Sequence, residues 1–214
     1  VGSEMCIRDS LYRLRTGYHE QTGLAGCYSL EEYDRNEIRQ HERTRPDKEN
    51  DRTRHLLALR AQSGVVFLTF RAMAEVASIM QQIRCNDPLF DIEAPDGVCH
   101  TIWRLSPDDQ IAVVAAFDHV PVLYIADGHH RIASAARARD QLASFDCDNL
   151  RAESQFVLGV AFPDSEMRIQ AYNRALTDLA GQTPEQFLEV VRTRFEVRGN
   201  ANPTPSRGYV SMYL

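Results

Sequence analysis

No run of about 18 consecutive apolar residues occurs in this sequence, so it offers no candidate membrane-spanning helix. Gly-x-x-x-x-Gly-Lys-Ser/Thr and Gly-x-Gly-x-x-Gly are both missing, which removes the P-loop and the dinucleotide fingerprint. His-Glu-x-x-His is missing too, since His41-Glu42 is followed by Arg43-Thr44-Arg45. Cys6, Cys27, Cys85, Cys99 and Cys147 form no Cys-x-x-Cys pair and have no histidine at zinc spacing. They read as reduced thiols, and a cytoplasmic location is expected. A basic excess is lacking as well. The 24 Lys and Arg against 30 Asp and Glu leave a formal charge of −6, which argues against a nucleic-acid or membrane-surface partner and leaves a small molecule as the expected one. There is no internal repeat and no low-complexity tract. What remains, 43% hydrophobic and 25% charged, is an ordinary globular composition long enough for one large or two small domains.

The two ends read differently from the middle. Val1-Gly2-Ser3-Glu4-Met5-Cys6-Ile7-Arg8-Asp9 looks like a sequencing adapter translated in frame, so residues 1–10 are expected to lie outside the fold. Residues 11–214 are then expected to be a partial domain truncated at both ends. The terminal run Gly208 to Leu214 reads as a strand without a following partner.

Between the ends, strands and helices mix without strict alternation, predicting an α/β (α+β) fold with a mixed sheet and flanking helices. Strands are expected at Leu24 to Tyr33, Val65 to Phe70, Val122 to Ala126, Phe156 to Phe162 and Met167 to Leu176. A hairpin is expected around Ala94-Pro95-Asp96-Gly97. The apolar run Val122 to Ala126 predicts a central strand. A helix should open near Pro46, with Leu56, Leu57 and Leu59 at its buried end. Met73, Val76, Met80 and Ile83 form one helical stripe. Ser106-Pro107 and the capping box Thr183 to Gln186 open two more helices, the second carrying Phe187, Val191 and Phe195. A further helix spans Arg131 to Phe145, and Asn200 to Arg207 is a Pro-containing loop.

The chemistry concentrates in Asp127-Gly128-His129-His130-Arg131, which joins an apolar strand to a helix. Such a junction sets side chains at the carboxyl end of a sheet beside the free N–H groups of a helix start. Gly128 permits backbone geometry that other residues resist, and the positive helix end favours an anion. Arg131 adds a planar fork for phosphate or carboxylate. Asp127 suits a metal ion or a substrate hydroxyl, and His129 or His130 can move protons near neutral pH. A lone Asp-Gly would be a helix cap and nothing more. Four polar functional side chains in five residues, directly after a buried strand, favour a site. As a metal cage Asp127, His129 and His130 are poor, because adjacent side chains rarely converge on one ion and no further ligand is visible.

A second candidate is the stretch Arg39 to Arg54, where His41, Glu42, Arg45, Lys48 and Arg52 supply a base and positive charges for a phosphate. Charge-rich helices are more often solvated faces laced by pairs four apart. His100, Trp103 and Asn173-Arg174 carry a weaker signal, and Trp103 reads as core.

Taken in order, His41-Glu42-x-Thr44, Lys48, Asp51-Arg52, His100-x-x-Trp103, Tyr124 to Arg131 and Tyr172-Asn173-Arg174 resemble domain-of-unknown-function family 1015. The resemblance covers essentially residues 11–214. That family is similar to the ParB/sulfiredoxin superfamily, whose nucleotide box ends a strand with Gly-x-x-Arg, here Gly128 to Arg131. The resemblance implies a ParB/sulfiredoxin-like core and phosphoryl transfer of the kind free-serine kinases perform with ADP, ATP or pyrophosphate and magnesium. By that likeness Gly128, His129, Arg131, Lys48 and Arg52 would hold the donor. Glu42, Asp127, His129 and His130 would form the catalytic group, with Glu42 as base. The alternative is a ParB-like nucleotide-binding regulator without small-molecule turnover.

Overall fold

The computed structural model describes residues 10–143, 152–169, 173–199, 202, 205–206 and 208–213. The chain divides into two compact units, residues 1–167 and 168–214. The first contains a mixed eight-stranded sheet with helices, so the α/β expectation holds.

The sheet begins with a hairpin of β1 (Ser10–Thr16) and β2 (His19–Ser29), in register from Ser10 opposite Ala25 to Thr16 opposite His19. Ser10, excluded by the adapter reading, is thus already paired within the sheet; residues 1–9 lie outside the described residues. The strand expected at Leu24 to Tyr33 starts earlier and stops at Ser29. There the Ser29 Oγ accepts the Glu31 N–H, and the short helix α1 (Leu30–Asp34) begins with Leu30 fully buried.

The remaining strands are β3 (Ile38–Arg39), β4 (Val66–Phe70), β5 (Phe90–Glu93), β6 (Cys99–Arg104), β7 (Leu123–Asp127) and β8 (Phe156–Pro163). Their order is β3-β7-β4-β8-β2-β1-β6-β5. The pairs β3/β7 and β4/β8 are parallel and the others antiparallel. The expected hairpin is β5/β6, with Gly97 in the left-handed region.

β7 is not central: it lies second from the edge, next to two-residue β3. Its burial explains why, since Leu123 and Ile125 are buried while Tyr124 is exposed, a one-sided strand despite its apolar spelling. The interior position belongs to β8, buried continuously from Gly159 to Pro163.

The helices are α2 (Pro46–Leu59), α3 (Ala74–Ile83), α4 (Pro107–Phe117) and α5 (His129–Leu142). α3 packs on α4, and α2 packs on α5. One core joins Leu11, Leu24, Leu68 and Ile125 of the sheet to Val76 and Ile83 of α3 and to Ile132 and Ala135 of α5. Each such aliphatic side chain contributes roughly 1.5–3 kcal/mol by leaving water.

α2 departs from expectation. Leu56 and Leu57 are only half-buried and Leu59 is exposed, while its buried residues are Glu49 and Thr53. They are accommodated because α5 offers polar partners: the Ser134 Oγ donates to the Glu49 carbonyl (3.2 Å), the Thr53 Oγ1 donates to the Ser134 carbonyl (3.4 Å), and Arg137 pairs with the Glu49 carboxylate (3.2 Å).

The strand expected at Met167 to Leu176 does not form among the described residues; residues 170–172 lie outside them. Instead Asp164–Glu166 make a 3-10 turn. Asp164 accepts the Ala72 N–H and pairs with Arg71, while Glu166 accepts the Thr22 N–H, so the chain is turned back at the end of β8. Residues 208–213 form no strand either, and most of Asn200 to Arg207 lies outside the described residues. In the second unit, α6 (Pro184–Arg192) opens with the expected Thr183 capping box; Phe187 and Val191 are half-buried, and Phe195 lies beyond its end, exposed. Among the described residues no helix is long and apolar enough to cross a membrane.

Candidate anion-binding site at the start of α5

The box sits at the carboxyl end of β7, and α5 begins at His129, two residues earlier than periodicity indicated. Gly128 occupies the N-cap with φ 93°, a conformation costly for any residue with a Cβ. No side chain caps this helix and its first turn holds no acidic residue. The first N–H groups of a helix have no intrahelical partner, so this end presents donors and a positive dipole. Just before it the β4/β7 register shifts: Asp127 faces Phe67 and Ile125 faces Leu68, leaving Ala126 as an extra residue. Such a bulge re-aims the side chains that follow it.

Arg131 is fixed in place. Its Nη1 donates to the Val65 carbonyl (2.8 Å) and stands 4.0 Å from the Asp127 carboxylate. The guanidinium lies over Gly64, where an added Cβ would come within 3.1 Å of Nε. Gly64 therefore makes room for the fork, a role the sequence alone did not single out.

The charged segment reaches this place through topology. Ile38 pairs in parallel with Leu123, so the chain leaving β3 emerges at the same sheet edge as Asp127. Residues 41–45 then cross the box. His41 meets His129 edge-on, with ring centroids 4.4 Å apart and planes at 89°. The Glu42 carboxylate lies 3.9 Å from His129 Nδ1, and the Arg45 N–H donates to His130 Nε2 (3.1 Å).

Glu42, Arg52, Asp127, Gly128, His129, His130 and Arg131 line one cavity of about 110 Å³. Lys48 is exposed on α2 and is not among these lining residues. His100 is elsewhere, bonded through Nδ1 to the Tyr12 hydroxyl (2.6 Å). Trp103 is core as expected, donating to the Asn86 carbonyl (3.0 Å). Asn173 and Arg174 fall in the second unit.

His129 is the unusual member. It is 4% exposed, and its Nε2 has no hydrogen-bond partner among the described residues. A buried unpartnered nitrogen costs about 1–3 kcal/mol. Burial pushes its pKa down, as does neighbouring His41; Glu42 and Asp127 pull the other way. The ring is therefore biased towards the neutral form.

No three His, Cys, Asp or Glu side chains among the described residues converge as a metal cage. Glu42 and Asp127 are the carboxylates that line the cavity. What the arrangement offers is a small anion site: helix N–H donors, two guanidinium groups, two carboxylates and a buried imidazole.

The fold defines a mixed α/β protein, and its candidate site is the strand–turn–helix box at the start of α5. Residues 8–214 match the family described as protein of unknown function (DUF1015), and the chain belongs to that family. No curated protein and no solved structure matches it.

Proposed function

We propose that this protein is a cytoplasmic small-molecule phosphotransferase that moves a phosphoryl group from ADP, ATP or pyrophosphate to a small hydroxyl acceptor, free serine being the first to test. The observation that carries the reading is the convergence of Glu42 and Arg52 with Asp127, Gly128, His129 and Arg131 on one cavity at an uncapped helix start.

Phosphoryl transfer asks little covalent chemistry of the protein; it asks for positioning and for charge opposite the equatorial oxygens. The N–H groups of α5 and the fork of Arg131 hold the donor's phosphate end. Arg52 offsets charge developing on the transferred group. Asp127 orients the acceptor hydroxyl, and Glu42 takes its proton as the oxygen attacks phosphorus and the bond to the donor breaks. Any magnesium arrives with the donor's phosphates, as part of the substrate. The cavity, far below the about 300–1,000 Å³ of a drug-sized pocket, suits the phosphate end of a ligand rather than a whole nucleotide.

The test is incubation of the purified protein with each donor and an amino-acid pool, followed by phosphorus NMR. A phosphorylated acceptor supports the reading. Donor binding without turnover favours the ParB-like regulator, and release of free phosphate alone favours a hydrolase.

A further inference from the structure

The two adjacent histidines of the box face different partners. Resting on the phosphotransferase reading, we propose that they divide the work: His130 is a positioning residue whose ring holds segment 41–45, and with it Glu42, over the start of α5, and it carries no proton in the reaction. A backbone N–H can only donate. The 3.1 Å bond from the Arg45 N–H therefore makes His130 Nε2 an acceptor, and the single proton of the neutral ring must sit on Nδ1. With Nε2 occupied and Nδ1 already protonated, neither nitrogen is free to act as a base while the bond stands.

What the bond holds is the segment bearing Glu42. Residues 41–43 and 45 are exposed, and Arg45 is the residue that opens α2. The Arg45 guanidinium is occupied with Asp47 (3.2 and 2.7 Å), so its backbone amide alone meets His130. Between the segment's ends the Thr44 hydroxyl donates to the Glu49 carboxylate, and Leu56 of α2 packs against the core. The box fixes both ends of segment 41–45: His41 edge-on to His129, and Arg45 bonded to His130. Glu42 lies between these two anchors, 3.9 Å from His129 Nδ1.

The experiment compares His130→Leu, which removes the acceptor, with His130→Gln, which restores an acceptor oxygen that cannot relay a proton as imidazole does. Amide exchange at Arg45, kcat and calorimetric donor affinity are read in the full chain. His130→Leu should speed Arg45 exchange and lower kcat by about tenfold each, as loss of one hydrogen bond implies, with donor Kd within about twofold. His130→Gln should bring both back to within about threefold of the parent. If the glutamine variant is as slow as the leucine variant while its Arg45 amide stays protected, His130 carries a proton and the proposal fails. It also fails if His130→Leu leaves Arg45 exchange unchanged, or raises exchange evenly along the chain. Exchange is read without substrate, so it judges the clasp even if no donor gives turnover, a result that would sink only the phosphotransferase reading.

Discussion

Helices α4 and α5 begin in opposite ways. α4 closes its own start: the Ser106 hydroxyl accepts the Asp109 N–H, the Asp109 carboxylate accepts the Ser106 N–H, and Asp108 adds negative charge to the first turn. α5 starts from bare Gly128 with no capping side chain and no acidic residue in its first turn. Both starts obey the same rule, that orphan N–H groups and a positive dipole need a partner. In α4 the partner is local and the end is purely structural. In α5 the local partner is withheld while the guanidiniums of Arg131 and Arg52, the carboxylates of Glu42 and Asp127 and a buried imidazole gather round the opening. A helix end left open with two guanidinium groups in reach can serve an anion from outside the chain.

The sharpest way to press that contrast is Asp127→Asn, which keeps shape and removes charge at the open end. Turnover should fall roughly a hundred- to a thousand-fold, about 2.7–4 kcal/mol in the transition state, with donor affinity nearly unchanged. Steady-state kinetics beside calorimetry reads both numbers, and full activity would leave the regulator ahead.

Next comes Gly128→Ala, which forces a Cβ into φ 93° within 3.4 Å of Val66 Cα. It should destabilise the protein by about 1–3 kcal/mol in urea unfolding. Loss of affinity for the donor without loss of stability would mean that the strain argument is misplaced.

Ser106→Ala opens the closed end. Removal of the cap should cost about 1 kcal/mol and leave kcat untouched. An α4 end that acquired anion affinity on losing its cap would show that an open helix start suffices without neighbouring guanidinium groups.

The smallest expected effect is on pH dependence. His129 has a lowered folded pKa, so from the ordinary histidine value of 6.5 downwards the unfolded chain binds more protons than the native one. Its contribution to stability is present above that value and is lost as pH falls through the lowered folded value. Melting temperature should drop on acidification below about 6.5 more steeply in the parent than in His129→Asn. Parallel curves would remove His129 from the acid response.

What the sequence determined by itself was local: the Ser106 and Thr183 caps, the β5/β6 turn at Gly97, the stripe of α3, and the strand–glycine–helix grammar of the box. These are choices made within a few residues, where backbone sterics and side-chain reach decide. Tertiary structure decided what depends on distant partners. It put β7 near the sheet edge, added the extra residue at Ala126, and tied the turn after β8 to Ala72 and Thr22, with no strand among the described residues of the expected Met167 to Leu176. It buried Glu49 and Thr53 because Ser134 and Arg137 stood ready to bond them, and it gave His130 a partner 85 residues away. It also took Lys48 off the cavity and laid Arg131 over Gly64. Periodicity reports which side of an element is apolar, but not which polar side chain will find a partner inside. That is set only when β3 runs parallel beside β7 and delivers residues 41–45 to the open end of α5.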